Sequence, residues 1–237
     1  MKDIIDLFPK MDIKDNEKDT FLKYIRLKGG FLHKQVYDTI LLTDEEARYG
    51  EVSRIIRYDK YIRDVLYKYL SALEEQWRAI AFDNFDYESD KIDVIKKDID
   101  LSKITVKNQF ADSTLYWASY NKSFTLNKLI DIFKANRHII DLNITDDMYQ
   151  SIKILRNSVM HHNLIMFSYK TTLEKINNEI ESLEAKVSLL WRLLDDQMKP
   201  AFEKAINMGN YKGGDYDKES PNLNRYCLRR LCHGVFI

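Results

Sequence analysis

The sequence predicts an all-α fold, and three observations carry that expectation. Only 7 of the 237 residues are glycine and 3 are proline, where average usage supplies roughly 28 of the two together. That shortage disfavours turn-rich sandwiches and barrels, and it leaves no Gly-rich phosphate loop. Apolar residues recur at helical spacing over several long segments, and threonines stand where such segments begin. A composition of 45% apolar, 12% aromatic and 31% charged residues is that of a folded globule.

Lys+Arg and Asp+Glu both number 37, so no global field draws the chain to nucleic acid, and any such contact needs a local basic patch. No apolar run approaches the roughly 18 residues that span a bilayer. The acidic start, Met1 to Pro9, does not have the pattern of a signal peptide. Cys227 and Cys232 are the two cysteines and read as reduced thiols. Cys227-x4-Cys232-His233 has too few ligands for structural zinc. A cytoplasmic protein with no membrane partner, no metal and no cofactor is expected.

Three segments are expected: a helical N-terminal segment over 1–50, a helical domain over 51–200, and a C-terminal loop with a basic tail over 201–237. In the first, Asp15 to Lys28 forms a short helix with Phe21, Tyr24, Ile25 and Leu27 apolar, ended by Gly29-Gly30 in a left-handed cap. Thr43-Asp44-Glu45-Glu46 has the pattern of a capping box opening the next helix. Beyond it, Tyr58, Ile62, Val65, Tyr69, Ala72 (or Leu73) and Ile80, with Leu66, Leu70 and Trp77 alongside, make a stripe wide enough for a central helix.

Residues 86–108 are charge-rich and weakly periodic, which suits an exposed connection with a short helix. Helices are expected at Ser113–Tyr120 and at Leu126–Asn136. Thr145 caps a further helix with Asp146 and Asp147 in its first turn. From Thr171 to Met198 the residues Leu173, Ile176, Ile180, Leu183, Val187, Leu190 and Leu194 alternate steps of three and four, a heptad seam expected to pack within the domain. Pro200 kinks or restarts that helix. Gly209 to Pro221 reads as a polar loop, and the tail with Arg225, Arg229 and Arg230 as a solvated basic segment.

Arg156-Asn157-Ser158-Val159-Met160-His161-His162-Asn163, on the Thr145 helix, is the constellation able to carry chemistry. A histidine exchanges protons near neutral pH. A guanidinium holds a phosphate and its developing charge with paired hydrogen bonds. Met148, Ile152, Leu155 and Val159 form the apolar stripe, which His162 extends. Asn157 and His161, four apart, share another face, where the amide is placed to fix the imidazole tautomer. Arg156 and His161 diverge by roughly 140° on an ideal helix, so either the helix distorts or two chains bring their pairs together.

Arg156-Asn157-x3-His161-His162 resembles the Arg-Asn-x3-His-His motif of the Abi-like (abortive infection) family of the HEPN superfamily. Asp59-x3-Arg63 and Leu73-Glu74-Glu75-Gln76-Trp77-Arg78 are similar to that family's central helix. Trp117 and Ser123-Phe124-Thr125-Leu126-Asn127-Lys128-Leu129 are similar to its tryptophan and Ser-Phe-Gly-x-Leu-Ser-x-Leu stretch. The likeness runs over about residues 58–166. Met160 stands for a usual alanine, and Leu164-Ile165-Met166 for a usual Arg-Leu-Trp.

The resemblance implies a HEPN-type helical bundle with a long C-terminal helix, a homodimer formed through the motif helices, and metal-independent cleavage of an RNA substrate in phage defence or as a toxin. On that reading Arg156 holds the phosphate, His161 is the acid/base, Asn157 orients the site and His162 packs behind it. Glu74 or Glu75 supports the site through an ion pair with Arg78. The cations Arg54, Arg57, Lys60, Arg63 and Lys68 line an RNA path. A structured small RNA or a protein antitoxin is the expected regulatory partner. A catalytically silent RNA- or nucleotide-binding HEPN sensor and a helical interaction scaffold stay open as alternatives.

Overall fold

The computed structural model describes residues 4–87, 104–106, 125–161, 164–168, 172–212 and 226–237. Among these residues the chain is all-α, with seven α-helices and strands of two or three residues each. It divides into two compact units, Met1–Tyr69 with Leu155–Ile237, and Leu70–Ile154. The expected segment boundaries at 50/51 and 200/201 both lie inside the first unit.

In the first unit, helix α1 (Lys18–Lys28) buries Phe21 and Ile25. Tyr24 and Leu27, expected on the apolar face, are 42% and 69% exposed. Gly29 ends the helix at φ +84° and ψ 141°, so a positive φ is used, although not in the left-handed helical basin that a usual cap adopts. A helix not foreseen from the sequence, α2 (Gly30–Ile40), follows at once. Its buried face mixes Val36, Tyr37 and Ile40 with His33, Gln35 and Thr39, which hides the apolar period. The expected capping box does not form. Thr43 instead closes α2, its hydroxyl donating to the Ile40 carbonyl at 3.2 Å. Beyond it, strand β2 (Ala47–Arg48) pairs in parallel with β1 (Met11–Asp12).

Helix α3 (Tyr49–Asn84) is the central helix, 36 residues long. Within the first unit Tyr58, Ile62, Leu66 and Tyr69 are buried as expected. Asp59 is fully buried as well. Its Oδ2 accepts the Arg63 Nε–H at 2.8 Å, and its Oδ1 accepts the backbone N–H groups of Ile165 and Met166 at 2.7 and 3.4 Å. Burial pushes the Asp59 carboxyl up, and Arg63 with the two N–H groups opposes that push.

Helix α6 (Leu173–Leu193) is capped by Thr172, whose hydroxyl accepts the Lys175 N–H at 3.3 Å. Of the heptad residues, Ile176, Ile180, Leu183, Val187 and Leu190 on the helix and Leu194 just past its end are buried within the chain, while Leu173 at its first position is half-buried. The helix stops before Pro200, which sits in the first turn of α7 (Lys199–Lys212), where its missing N–H costs nothing. Residues 209–212, expected in a loop, belong to this helix. Gly209 is buried there against Tyr58, Tyr61 and Ile62, so close approach, rather than a turn, accounts for the glycine.

Residues 226–237 are packed against the chain, although Arg229 and Arg230 themselves are exposed; Arg225 and the loop expected over 213–221 lie outside the described residues. Tyr226, Leu228, Leu231 and Phe236 are buried, and β5 (Leu231–Cys232) pairs with β6 (Val235–Phe236). His233 and Gly234 join these strands with φ of 49° and 81°, the double positive φ of a type I′ hairpin. Glu184 on α6, nearly buried, accepts the backbone N–H and the Nε–H of Arg229 at 2.7 and 2.9 Å. Long-range packing and one ion pair thus hold a stretch whose composition reads as solvent-exposed.

In the second unit, Trp77 packs edge-on against Phe133 and Tyr149 at 6.2 and 5.6 Å. Tyr149 lies deep enough for burial to push its hydroxyl pKa up to about 12. Helix α4 (Leu126–Ala135) is capped by Thr125 and buries Leu129, Ile130, Ile132 and Phe133. A short ladder, β3 (Phe85–Tyr87) with β4 (Ile104–Val106), replaces the irregular connection expected at its two ends. The short helix expected between them and the Ser113–Tyr120 helix lie outside the described residues.

Replacing Asp59 by alanine leaves a buried guanidinium and two backbone donors without their acceptor. Urea unfolding of Asp59→Ala is expected to show a loss of about 3–5 kcal/mol, because an unpaired buried charge is left behind. Asp59→Leu with Arg63→Met should lose clearly less. An unchanged midpoint for the single variant would contradict this reading of the pair.

Candidate functional site

Helix α5 (Asp146–Met160) carries the motif. Thr145 caps it, its hydroxyl accepting the Met148 N–H at 3.2 Å. Tyr149, Ile152, Leu155 and Val159 are buried, while Met148 is half-buried at the edge of that face. The helix ends at Met160, and the last bond of helical type runs from the His161 N–H to the Asn157 carbonyl at 3.2 Å. Asn157 and His161 are therefore joined through the backbone. The His161 residue is exposed, in the turn that follows the helix. His162, expected to continue the apolar stripe, lies outside the described residues.

Arg156 is half-buried, and its Nε is shielded from solvent with no hydrogen-bond partner among the described residues. Two other arginines of the same unit are engaged by carboxylates, Arg63 by Asp59 and Arg229 by Glu184. A shielded donor left unmade costs about 1–3 kcal/mol, so Arg156 is a guanidinium that the fold positions without satisfying.

The chain just beyond the motif is anchored at several points. Asp59 takes the N–H groups of Ile165 and Met166, and Gln35 Nε2 on α2 donates to the Phe167 carbonyl at 3.0 Å. Ser168 donates its backbone N–H to Glu179 on α6 at 2.7 Å. Beside these anchors lies a groove of about 700 Å³ lined by Leu155 and Ser158 of the motif helix and by Lys175, Glu179 and Lys186 of α6, among others. Lys186 donates to the Ser182 hydroxyl at 2.6 Å, and burial pushes its ammonium pKa down. The sequence reading did not single out these two lysines, since only the path of α6 past the motif helix brings them there.

The remaining candidates separate. Arg63 is 9% exposed and paired with Asp59, so it leaves the expected RNA path and becomes a structural residue. Lys68 is exposed, its Nζ 5.2 Å from the Tyr69 ring centroid. Arg54, Arg57 and Lys60 come together at the wall of a separate cavity in the first unit. In the second unit Glu74 accepts a bond from Arg78 Nη2 at 2.6 Å, while Glu75 is exposed. Asp146, in the first turn of α5, also pairs with Arg137 at 2.6 Å and Lys134 at 3.4 Å. Among the described residues no three His, Cys, Asp or Glu side chains group as metal ligands, and no helix is long and apolar enough to cross a membrane.

The exposure of His161 makes its removal structurally cheap. His161→Ala should hold its stability within about 0.5 kcal/mol of the parent chain, whereas Leu155→Ala on the buried face should lose about 2–5 kcal/mol. Thermal and urea melts of the two variants decide this. A large loss for His161→Ala would place the ring in the core instead.

No protein-family model, no curated protein and no solved structure matches this chain.

Proposed function

We propose that this chain is a metal-independent endoribonuclease of the HEPN type, resembling the Abi-like family and acting in the cytoplasm in phage defence or as a toxin. The observation that carries the reading is the state of the motif's two reactive side chains. Arg156 is positioned on α5 with no carboxylate partner among the described residues, and His161 is exposed at the end of the same helix. A guanidinium held without a partner is suited to an incoming phosphate.

The chemistry follows from the groups present. The 2′-hydroxyl of single-stranded RNA attacks the adjacent phosphorus, forming the O2′–P bond as the P–O5′ bond breaks. The His161 of that site takes the proton of the 2′-hydroxyl, and solvent supplies a proton to the departing O5′. Arg156 stabilises the negative charge on the non-bridging oxygens. Arg156 lies on α5 and His161 in the turn that follows it; in this reading two chains supply the site, with the Arg156 of one serving the His161 of the other. Lys175 and Lys186, which line the same groove as Ser158, would hold flanking phosphates. A structured small RNA or a protein antitoxin that covers this groove would restrain the activity.

The buried heptad seam of α6 leaves the scaffold reading without an exposed zipper. A silent sensor is separated from an enzyme by the products alone.

Cleavage of single-stranded RNA is expected to persist in EDTA and to leave a 2′,3′-cyclic phosphate and a 5′-hydroxyl, read by mass spectrometry of the fragments. DNA of the same sequence, and RNA carrying a 2′-methoxy group at the cut site, should stay intact because the nucleophile is absent. Arg156→Ala should lower the rate by a factor on the order of 10²–10³, as loss of a charge-stabilising donor does elsewhere. Cut DNA, or 5′-phosphate products, would overturn the Arg/His assignment.

A further inference from the structure

Away from the motif, a cavity of about 490 Å³ opens between the C-terminal half of α1, the start of α2 and the first three turns of α3. Its wall carries four cations, Lys28, Arg54, Arg57 and Lys60, against one carboxylate, Glu17. The chain as a whole has no net charge, so this is a local concentration of positive charge. None of the four cations has a carboxylate within ion-pair distance among the described residues. Glu17 already accepts the Lys14 backbone N–H at 3.3 Å.

The cations are presented in order. Arg54, Arg57 and Lys60 are spaced by three on α3 and share a face. The Arg57 Nε–H donates to the Ser53 carbonyl at 3.3 Å, which holds the guanidinium along the helix. Lys28 stands 5.9 Å from the Tyr24 ring centroid. Two rings complete the wall: Tyr49, 3% exposed and wedged edge-on against Phe21 at 5.1 Å, and Tyr24, 42% exposed. His33, 2% exposed, also lines the cavity, with Nδ1 3.3 Å from the Gly29 carbonyl. Burial, with a smaller push from the neighbouring Lys28, lowers its pKa from the ordinary histidine value, and the Gly29 carbonyl opposes that push.

We propose that this cavity is a binding site for a small phosphorylated ligand with a planar ring, of the class of a nucleoside diphosphate. Two unpaired guanidiniums match phosphate oxygens in geometry as well as charge. Tyrosine rings offer a face to a planar ring, and the volume lies in the range of small-molecule sites. A free ligand fits better than an RNA strand. The cations converge on one concavity, and the basic row along α3 is interrupted by Arg63, which is buried against Asp59.

The site is separate from the motif, so its test needs no cleavage. Calorimetric titration of the full chain with ADP should show saturable binding, with adenosine and pyrophosphate each weaker. Arg54→Gln with Arg57→Gln should weaken ADP by about tenfold or more at an unchanged melting temperature, since neither side chain has an ion-pair partner to lose. Tyr24→Ala should weaken ADP while leaving pyrophosphate unaffected. No saturable ADP binding, ADP binding indifferent to the double substitution, or binding of a short single-stranded RNA where ADP fails would overturn the proposal.

Discussion

A single buried carboxylate fastens the chain that leaves the motif helix to the central helix. Asp59 is fully buried on the central helix and takes three donors, one from Arg63 and two from the backbone of Ile165 and Met166. Moving a carboxylate out of water is expensive unless such donors meet it. The segment that supplies them is the one that leaves the motif helix. Gln35 fixes the next residue but one, Phe167, so the chain is fastened to two helices a few residues after His161. The end of α5 is thereby held while its histidine faces solvent.

The arginines sort by what engages them. Arg63, Arg78, Arg137 and Arg229 each face a carboxylate, from Asp59, Glu74, Asp146 and Glu184. Arg54, Arg57 and Arg156 have no such partner among the described residues. Ion pairs at the surface contribute little, with a median near 0–1 kcal/mol, so the missing partners cost the fold almost nothing at Arg57, which is exposed. Arg156 is the informative case, because its Nε is shielded and still unmatched. A chain with no net charge thus keeps cations without carboxylate partners at the motif and at the Lys28–Lys60 cavity among the described residues, and on the proposed readings these two places take anions.

Much of this was legible in the sequence. Thr125, Thr145 and Thr172 stand before apolar periods and cap helices; of these, Thr145 was singled out in advance. The heptad of α6 was read residue by residue, since a period over three repeats outweighs local composition. Where local signals compete, the reading failed. Thr43 has the pattern of a helix opening, yet the same hydroxyl can close the preceding helix, and packing of α2 decides between them. The basic C-terminus looked solvated because Glu184, which neutralises Arg229, is 45 residues away. The motif spacing singles out Arg156 and His161, but only the fold reveals which cations are tied up: Arg63, expected on an RNA path, is paired with Asp59, and Lys175 and Lys186 line the groove beside the motif helix.

The account rests on a site shared between two chains, and mixing two inactive variants tests it most directly. Arg156→Ala and His161→Ala chains are purified separately, mixed under conditions that allow subunit exchange, and assayed on single-stranded RNA. A dimer that pairs the Arg156 of one chain with the His161 of the other should regain cleavage in the mixture, since one composite site is again complete. A mixture as inactive as its two parents, beside an active wild-type chain, would contradict the shared site.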